Sequence, residues 1–197
     1  MKFRLGITGG IGSGKSTICK VFTVLGIPVF VSDQEARVIM EKDKKIVEGV
    51  KAIAGYDIYK TGALDRPALA ELIFNNEEIL ESVNKLVHPA VLDAYNSWIE
   101  KQNSEYVILE SAILLESNIS WSPDKVLAVI APVEERISRV MERNSMTREQ
   151  VMARIRNQIP ESEMIRKSDF IVNNADNEMI LADVIRIHND IINSIRN

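Results

Sequence analysis

The sequence predicts an α/β fold of three layers, with a central parallel sheet of about five strands between two layers of helix. Three observations lead there. Five short apolar runs read as buried strands: Phe3 to Thr8, Pro28 to Ser32, Tyr106 to Leu109, Lys125 to Ile130 and Phe170 to Val172. The segments between them repeat apolar residues at helical spacing, and strands alternating with helices make a parallel sheet covered on both faces. A glycine-rich string joins the first run directly to the first helical segment.

The helices follow in order. The first should run from Lys15 to about Leu25 and stop at Gly26, with Pro28 beyond it. Between Arg66 and Asn103 there is no strand signal. Leu69, Leu72, Ile73, Leu80, Val83, Leu86 and Val87 suggest two short helices, and Pro89 suggests the first turn of a third. Val133 to Ser168 is again helical and rich in arginine, with Thr147 to Gln150 reading as a capping box. The last helix should span about Glu178 to Ile195, with Ile180, Leu181, Val184, Ile187, Ile191 and Ile195 on one face.

Composition narrows the class. The chain has 197 residues, 46% hydrophobic and 26% charged, as in an ordinary globular enzyme with a full core. Its formal net charge of −4 argues against general nucleic-acid binding. The single cysteine, Cys19, cannot form an intrachain disulfide, which fits a cytoplasmic protein. The N-terminus lacks a secretory pattern, and no apolar run approaches the roughly 20 residues of a membrane helix. The expectation is a cytoplasmic monomer or small homo-oligomer, with no nucleic-acid or membrane partner.

The string Gly9-Gly10-Ile11-Gly12-Ser13-Gly14-Lys15-Ser16-Thr17 matches G-x-x-x-x-G-K-[ST], a P-loop. Glycines leave the backbone free to turn its N–H groups inward around phosphates. The following helix adds the partial positive charge of its N-terminus. Gly10, Ile11, Gly12, Ser13 and Gly14 would line the phosphates, and Lys15 would reach the outer ones. Ser16 would bind Mg²⁺, and Thr17 is placed to hold the α-phosphate end. The bland alternative is a glycine-rich turn without a ligand, which the strand–loop–helix context disfavours. Cys19 reads as a small packed side chain.

A P-loop serves kinases, switches and motors alike. The guanine-reading N-K-x-D string is missing; the nearest is Asn84-Lys85-Leu86-Val87. Compactness, a helical insertion and clustered arginines favour a small-molecule kinase. Asp33 ends the second strand, where ligands bind in open parallel sheets. It can serve an acceptor hydroxyl, or it can cap the next helix. Arg37 lies one turn on, able to bind an acceptor phosphate or to pair with Asp33. Glu110 ends the third strand and is placed for Mg²⁺ or its water shell, or is a surface carboxylate. Arg136, Arg139 and Arg143 share one helix face, and seven of twelve arginines lie between Arg136 and Arg166. Such a face can close over a transferring phosphoryl group, or stay solvated beside Glu135, Glu142 and Glu149. His88 precedes Pro89 and reads as a backbone partner or an acceptor contact, since no second histidine or cysteine lies near it for a metal.

Taken together these residues resemble the dephospho-coenzyme A kinase family over almost the whole chain. The resemblance is carried by Thr8 to Thr17, Asp33 with Arg37, Ile73-Phe74-Asn75, Val87-His88-Pro89, Leu114-Leu115-Glu116, Thr147-Arg148-Glu149 and Asp169 to Asn174. Val31, Ala112 and Ala175 stand where the family often has aspartate, proline and glycine, and Glu110 where many members have aspartate. The resemblance implies a P-loop kinase fold in a single domain. Its core would cover about 1–60, 104–135 and 168–197, with a helical acceptor-binding insertion over about 61–103 and a lid over about 136–167. It implies phosphorylation of the ribose 3′-hydroxyl of dephospho-CoA by ATP with Mg²⁺, the last step of coenzyme A synthesis. Asp33 would be the catalytic carboxylate. Arg37, Phe74, His88 and Pro89 would hold the acceptor, Arg139 and Arg143 would serve the lid, and Asn173 and Asn174 would lie near the adenine.

Overall fold

A computed structural model describes residues 2–60, 62–74, 76–116 and 121–197. The elements run β1 (Phe3–Thr8), α1 (Lys15–Val24), β2 (Val29–Val31), α2 (Ser32–Lys42), α3 (Lys44–Ala54), β3 (Tyr59–Lys60) and β4 (Ala63–Leu64). They continue α4 (Arg66–Phe74), α5 (Glu77–Glu100), β5 (Tyr106–Glu110), β6 (Lys125–Ile130), α6 (Val133–Asn144), α7 (Arg148–Arg156), α8 (Glu161–Arg166), β7 (Phe170–Asn173) and α9 (Ile180–Arg196). The chain divides into two compact units, Met1–Val31 with Lys101–Asn197, and Ser32–Glu100.

The first unit holds a five-stranded sheet in the order β2-β5-β1-β6-β7, all pairs parallel. All five apolar runs became its strands. β1 lies at the centre, with Leu5 opposite Ile108 on one side and Lys125 on the other. One sheet face is filled by Leu5, Ile7, Tyr106, Ile108, Leu127, Val129 and Val172 against Ile18 and Phe22 of α1 and Val184, Ile187 and Ile191 of α9. Burying each such side chain stabilises the fold by about 1.5–3 kcal/mol. The alternate residues Val107 and Leu109 are also fully buried, so β5 is covered on both faces. A strand of that kind has no polar alternation and reads as a plain apolar run.

α1 ends as its sequence indicates: Gly26 takes φ +82°, and its N–H bonds the Thr23 carbonyl at 3.0 Å. The capping box at α7 also forms. Thr147 Oγ1 accepts from the Gln150 amide at 3.3 Å, and Gln150 Oε1 accepts from the Thr147 amide at 2.9 Å. α6 and α7 share a small core of Ile137, Val140 and Val151, to which Ile11 of the glycine loop contributes.

The second unit is helical apart from the antiparallel pair β3–β4. α5 packs against α2, α3 and α4, burying Val83, Val87, Val91, Tyr95 and Ile99 at intervals of four. Here the expectation of a helix boundary at Pro89 fails, because Pro89 lies inside the 24-residue α5. Proline removes one N–H and crowds the preceding turn, at about 3 kcal/mol. The continuous buried stripe on both sides of it, with Pro89 itself exposed, offsets that loss. At Gly49 a Cβ would lie 2.6 Å from Leu86 Cδ2, so glycine lets α3 approach α5 closely.

Candidate active site

The P-loop follows β1, whose connection crosses to β2 on one side, while the connection from its neighbour β5 crosses to β6 on the other. That switch point is where open α/β sheets bind ligands. Its glycines are required by space. Gly14 has φ +91°, and a Cβ there would lie 1.9 Å from Asn174 Nδ2. Gly12 has φ +79°, and its Cβ would lie 2.4 Å from the Arg136 carbonyl. The loop is thus pressed between the start of α6 and the segment after β7.

Lys15 begins α1, and its Nζ donates to the Gly9 carbonyl at 2.9 Å, arching back over the loop. The same ammonium lies 3.9 Å from Glu110 Oε1. Glu110 is only 8% exposed. Ser16 and Thr17 are exposed in the first turn of α1, a helix end whose amides are not all met by its own carbonyls. The Ser13 hydroxyl is buried and no described group bonds it. Cys19 packs behind the loop, and burial, with Glu110 nearby, pushes its thiol up to about 12. It is a neutral packing residue.

Asn174 donates from Nδ2 to the Ser13 carbonyl at 2.8 Å, while Asn173 ends β7 with its side chain exposed. The three arginines of one α6 face go to three environments. Arg136 is 5% exposed and donates from Nε to the Ile11 carbonyl at 3.0 Å. Arg139 Nη2 donates to Glu135 Oε2 at 3.0 Å, to the Asn174 carbonyl at 2.9 Å, and to Asp176. Arg143 is exposed and donates to Asn144 Oδ1 at 2.8 Å. Arg148 clips the start of α7 to α6 through two 2.7 Å bonds to Glu134, whose carboxyl is held below its usual range by them.

Asp33, Arg37, Phe74, His88 and Pro89 all belong to the second unit. Asp33 lies in the first turn of α2, which begins at Ser32, so it is inside the helix rather than capping it. Asp33 and Arg37 are exposed, and among the described residues no ion pair joins them. His88 is half-buried in α5, and burial holds its imidazole below the usual 6.5. Phe74 is the last residue of α4, and Asn75 lies outside the described residues. Sequence reading missed Gln158, whose Oε1 accepts from the Ile11 amide at 2.8 Å, and Asp176. Neither carries a local signal, since each meets its partner across a long stretch of chain.

A parallel sheet of this order, with a P-loop on its central strand and an arginine-bearing helix laid over the loop, defines a P-loop kinase. Residues 3–179 match the family model described as dephospho-CoA kinase. A dephospho-CoA kinase of Bacillus anthracis is 37% identical over 174 residues, covering 86% of this chain and 87% of its own. A Thermus thermophilus protein superposes with TM-score 0.83 at 33% identity, over 98% of this chain and 97% of its own. A dephospho-CoA kinase from Campylobacter jejuni does so with TM-score 0.69 at 25% identity, over 97% and 98%. The chain belongs to the dephospho-CoA kinase family.

Proposed function

We propose that this chain transfers the γ-phosphoryl group of ATP to the ribose 3′-hydroxyl of dephospho-CoA, giving CoA and ADP. The observation that supports this most is the built P-loop, with Lys15 arched onto Gly9 beside the buried Glu110, in a chain whose family match runs from residue 3 to residue 179.

The hydroxyl oxygen forms a bond to the γ-phosphorus, and the bond from that phosphorus to the β–γ bridging oxygen breaks. ADP leaves, and the hydroxyl proton passes to Asp33. Catalysis of this kind rests on positioning and charge neutralisation. Lys15 neutralises the outer phosphates, and the loop residues Gly10 to Gly14 with Ser16 and Thr17 cradle them. Arg139 and Arg143 meet the transferring group once the ion pairs of Arg139 exchange for phosphate oxygens. Asn173 and Asn174 border the adenine, while Arg37, Phe74, His88 and Pro89 hold the acceptor.

The donor set suits Mg²⁺: an exposed Ser16 hydroxyl and the Glu110 carboxylate are hard oxygen ligands near the phosphate-binding loop. Among the described residues no three acidic, histidine or cysteine side chains form a cage, so phosphates and water would complete the shell. Bound there, Mg²⁺ would neutralise charge developing on the β- and γ-phosphate oxygens. No helix among the described residues is long and apolar enough to cross a membrane. We take the protein to act in the cytoplasm as a monomer or small homo-oligomer.

The test is ADP release measured against a panel of acceptors. A sharp rise with dephospho-CoA alone is expected. A flat response across the panel would sink the kinase reading, and a preference for a nucleotide or sugar would move it to another small-molecule kinase.

A further inference from the structure

Ile11 is held from three directions by the helical segment that follows β6. Its amide donates to Gln158 Oε1 at 2.8 Å. Its carbonyl accepts from Arg136 Nε at 3.0 Å. Its side chain packs into the small core of Ile137, Val140 and Val151. The residues on either side of it are glycines. A Cβ at Gly10 would lie 2.1 Å from Arg136 Nη2, so the guanidinium lies directly against the loop backbone.

Burying an arginine to 5% exposure is costly unless its donors are met. Here Nε is met by the loop carbonyl, and the charge is paired with Glu161 of α8, 3.7 Å from Nη1. The charge is therefore committed to holding backbone, and it does not stand in the solvent with Arg143. The N-terminal half of the P-loop is fastened to α6 and to the turn before α8 more firmly than its flexible sequence suggests. Gly12 and Gly14, both with positive φ, are the joints between that half and α1.

We propose that Arg136 and Gln158 are positioning residues for phosphoryl transfer. Together they hold the two peptide groups flanking Ile11, and so link the arginine-bearing helices to the triphosphate site. When α6 and α7 shift, the outer turn of the loop shifts with them. This rests on the donor-site reading above and extends it to residues that need not touch the nucleotide.

The test uses the full chain with Arg136→Lys, which keeps the charge but loses the planar fork, and Gln158→Met, which keeps the length but loses the acceptor, and the double variant. Affinity for Mg·ATP by calorimetry, KM for each substrate, kcat and thermal midpoint are measured. Each single change should weaken ATP binding about tenfold and lower kcat, with the acceptor KM within about twofold of native. The double variant should be little worse than the weaker single one, because both contacts act through one residue. Should Arg136→Lys not fold, Gln158→Met alone decides the matter. ATP affinity within about twofold of native, with only the thermal midpoint lowered, would make the contacts merely structural and overturn the proposal. Effects that multiply in the double variant would overturn it too. Failure of the native chain to bind ATP would instead remove the donor site itself.

Discussion

Asn174 and Ser13, 161 positions apart in the chain, are joined by a 2.8 Å hydrogen bond from the Asn174 amide to the Ser13 carbonyl. The backbone N–H of Asn174 donates to the Ile130 carbonyl at 2.8 Å, and its backbone carbonyl accepts from Arg139. One residue thus ties the end of β7 and the middle of α6 to the inner half of the P-loop. Asn174→Asp replaces the donor by a carboxylate facing a carbonyl. The expected result is a KM for ATP raised roughly tenfold, since a lost charge-free bond with an unmet acceptor costs about 1–3 kcal/mol. Steady-state kinetics at saturating acceptor check this.

Two glycines with positive φ should respond differently to alanine. At Gly26 nothing lies within 4 Å of the added Cβ. Only the left-handed backbone resists, at about 1–2 kcal/mol, and activity should survive. At Gly14 the Cβ also meets Asn174 Nδ2, so the Asn174 side chain must turn aside and give up its bond to the Ser13 carbonyl. Gly14→Ala should weaken ATP binding by about tenfold or more in calorimetry, while Gly26→Ala lowers only the thermal midpoint.

Lys15→Ala removes the ammonium that lies beside Gly9 and Glu110. The charge on the outer phosphates then goes unneutralised in the transition state. A fall in kcat/KM for ATP of about 10²- to 10³-fold is expected, and unchanged kinetics would contradict the assigned role.

Asp33→Asn keeps shape and removes the carboxylate. If Asp33 acts on the acceptor hydroxyl, kcat should fall by about 10²-fold or more while ATP affinity stays near native. Parallel calorimetry and turnover separate this from a helix-terminus role, which would show in stability alone.

His88 makes a prediction about acid. Burial lowers its folded-state pKa below 6.5, so the unfolded chain binds the proton more readily. Stability is then full above about 6.5 and declines as pH falls below it. The carboxylates held low by partners, such as Asp65 beside Lys60, lose their contribution only near and below their own unfolded range of about 4. Thermal midpoints from pH 7 to 5 should therefore slope downward in the native chain and flatten in His88→Gln.

The sequence determined what rests on local pattern. Fully buried parallel strands such as β5 read as uninterrupted apolar runs, here Tyr106 to Leu109, because both faces meet protein. The P-loop is legible because its glycines, Lys15 and Ser16 lie within nine consecutive residues. Gly26 and the Thr147–Gln150 box close and open helices through bonds spanning a few residues. Tertiary structure decided the rest. It kept α5 continuous through Pro89, since a stripe packed along its whole length outweighs one missing N–H. It sorted Arg136, Arg139 and Arg143, alike in helical phase, into a buried clamp, an ion-paired centre and a solvated side chain. It also brought Gln158 and Asn174 to the loop. Their meetings depend on how the sheet and helices pack, and no spacing along the chain encodes them. So the bond from Asn174 to Ser13, like the clamp on Ile11, belongs to the fold, while the phosphate-binding loop it supports belongs to the sequence.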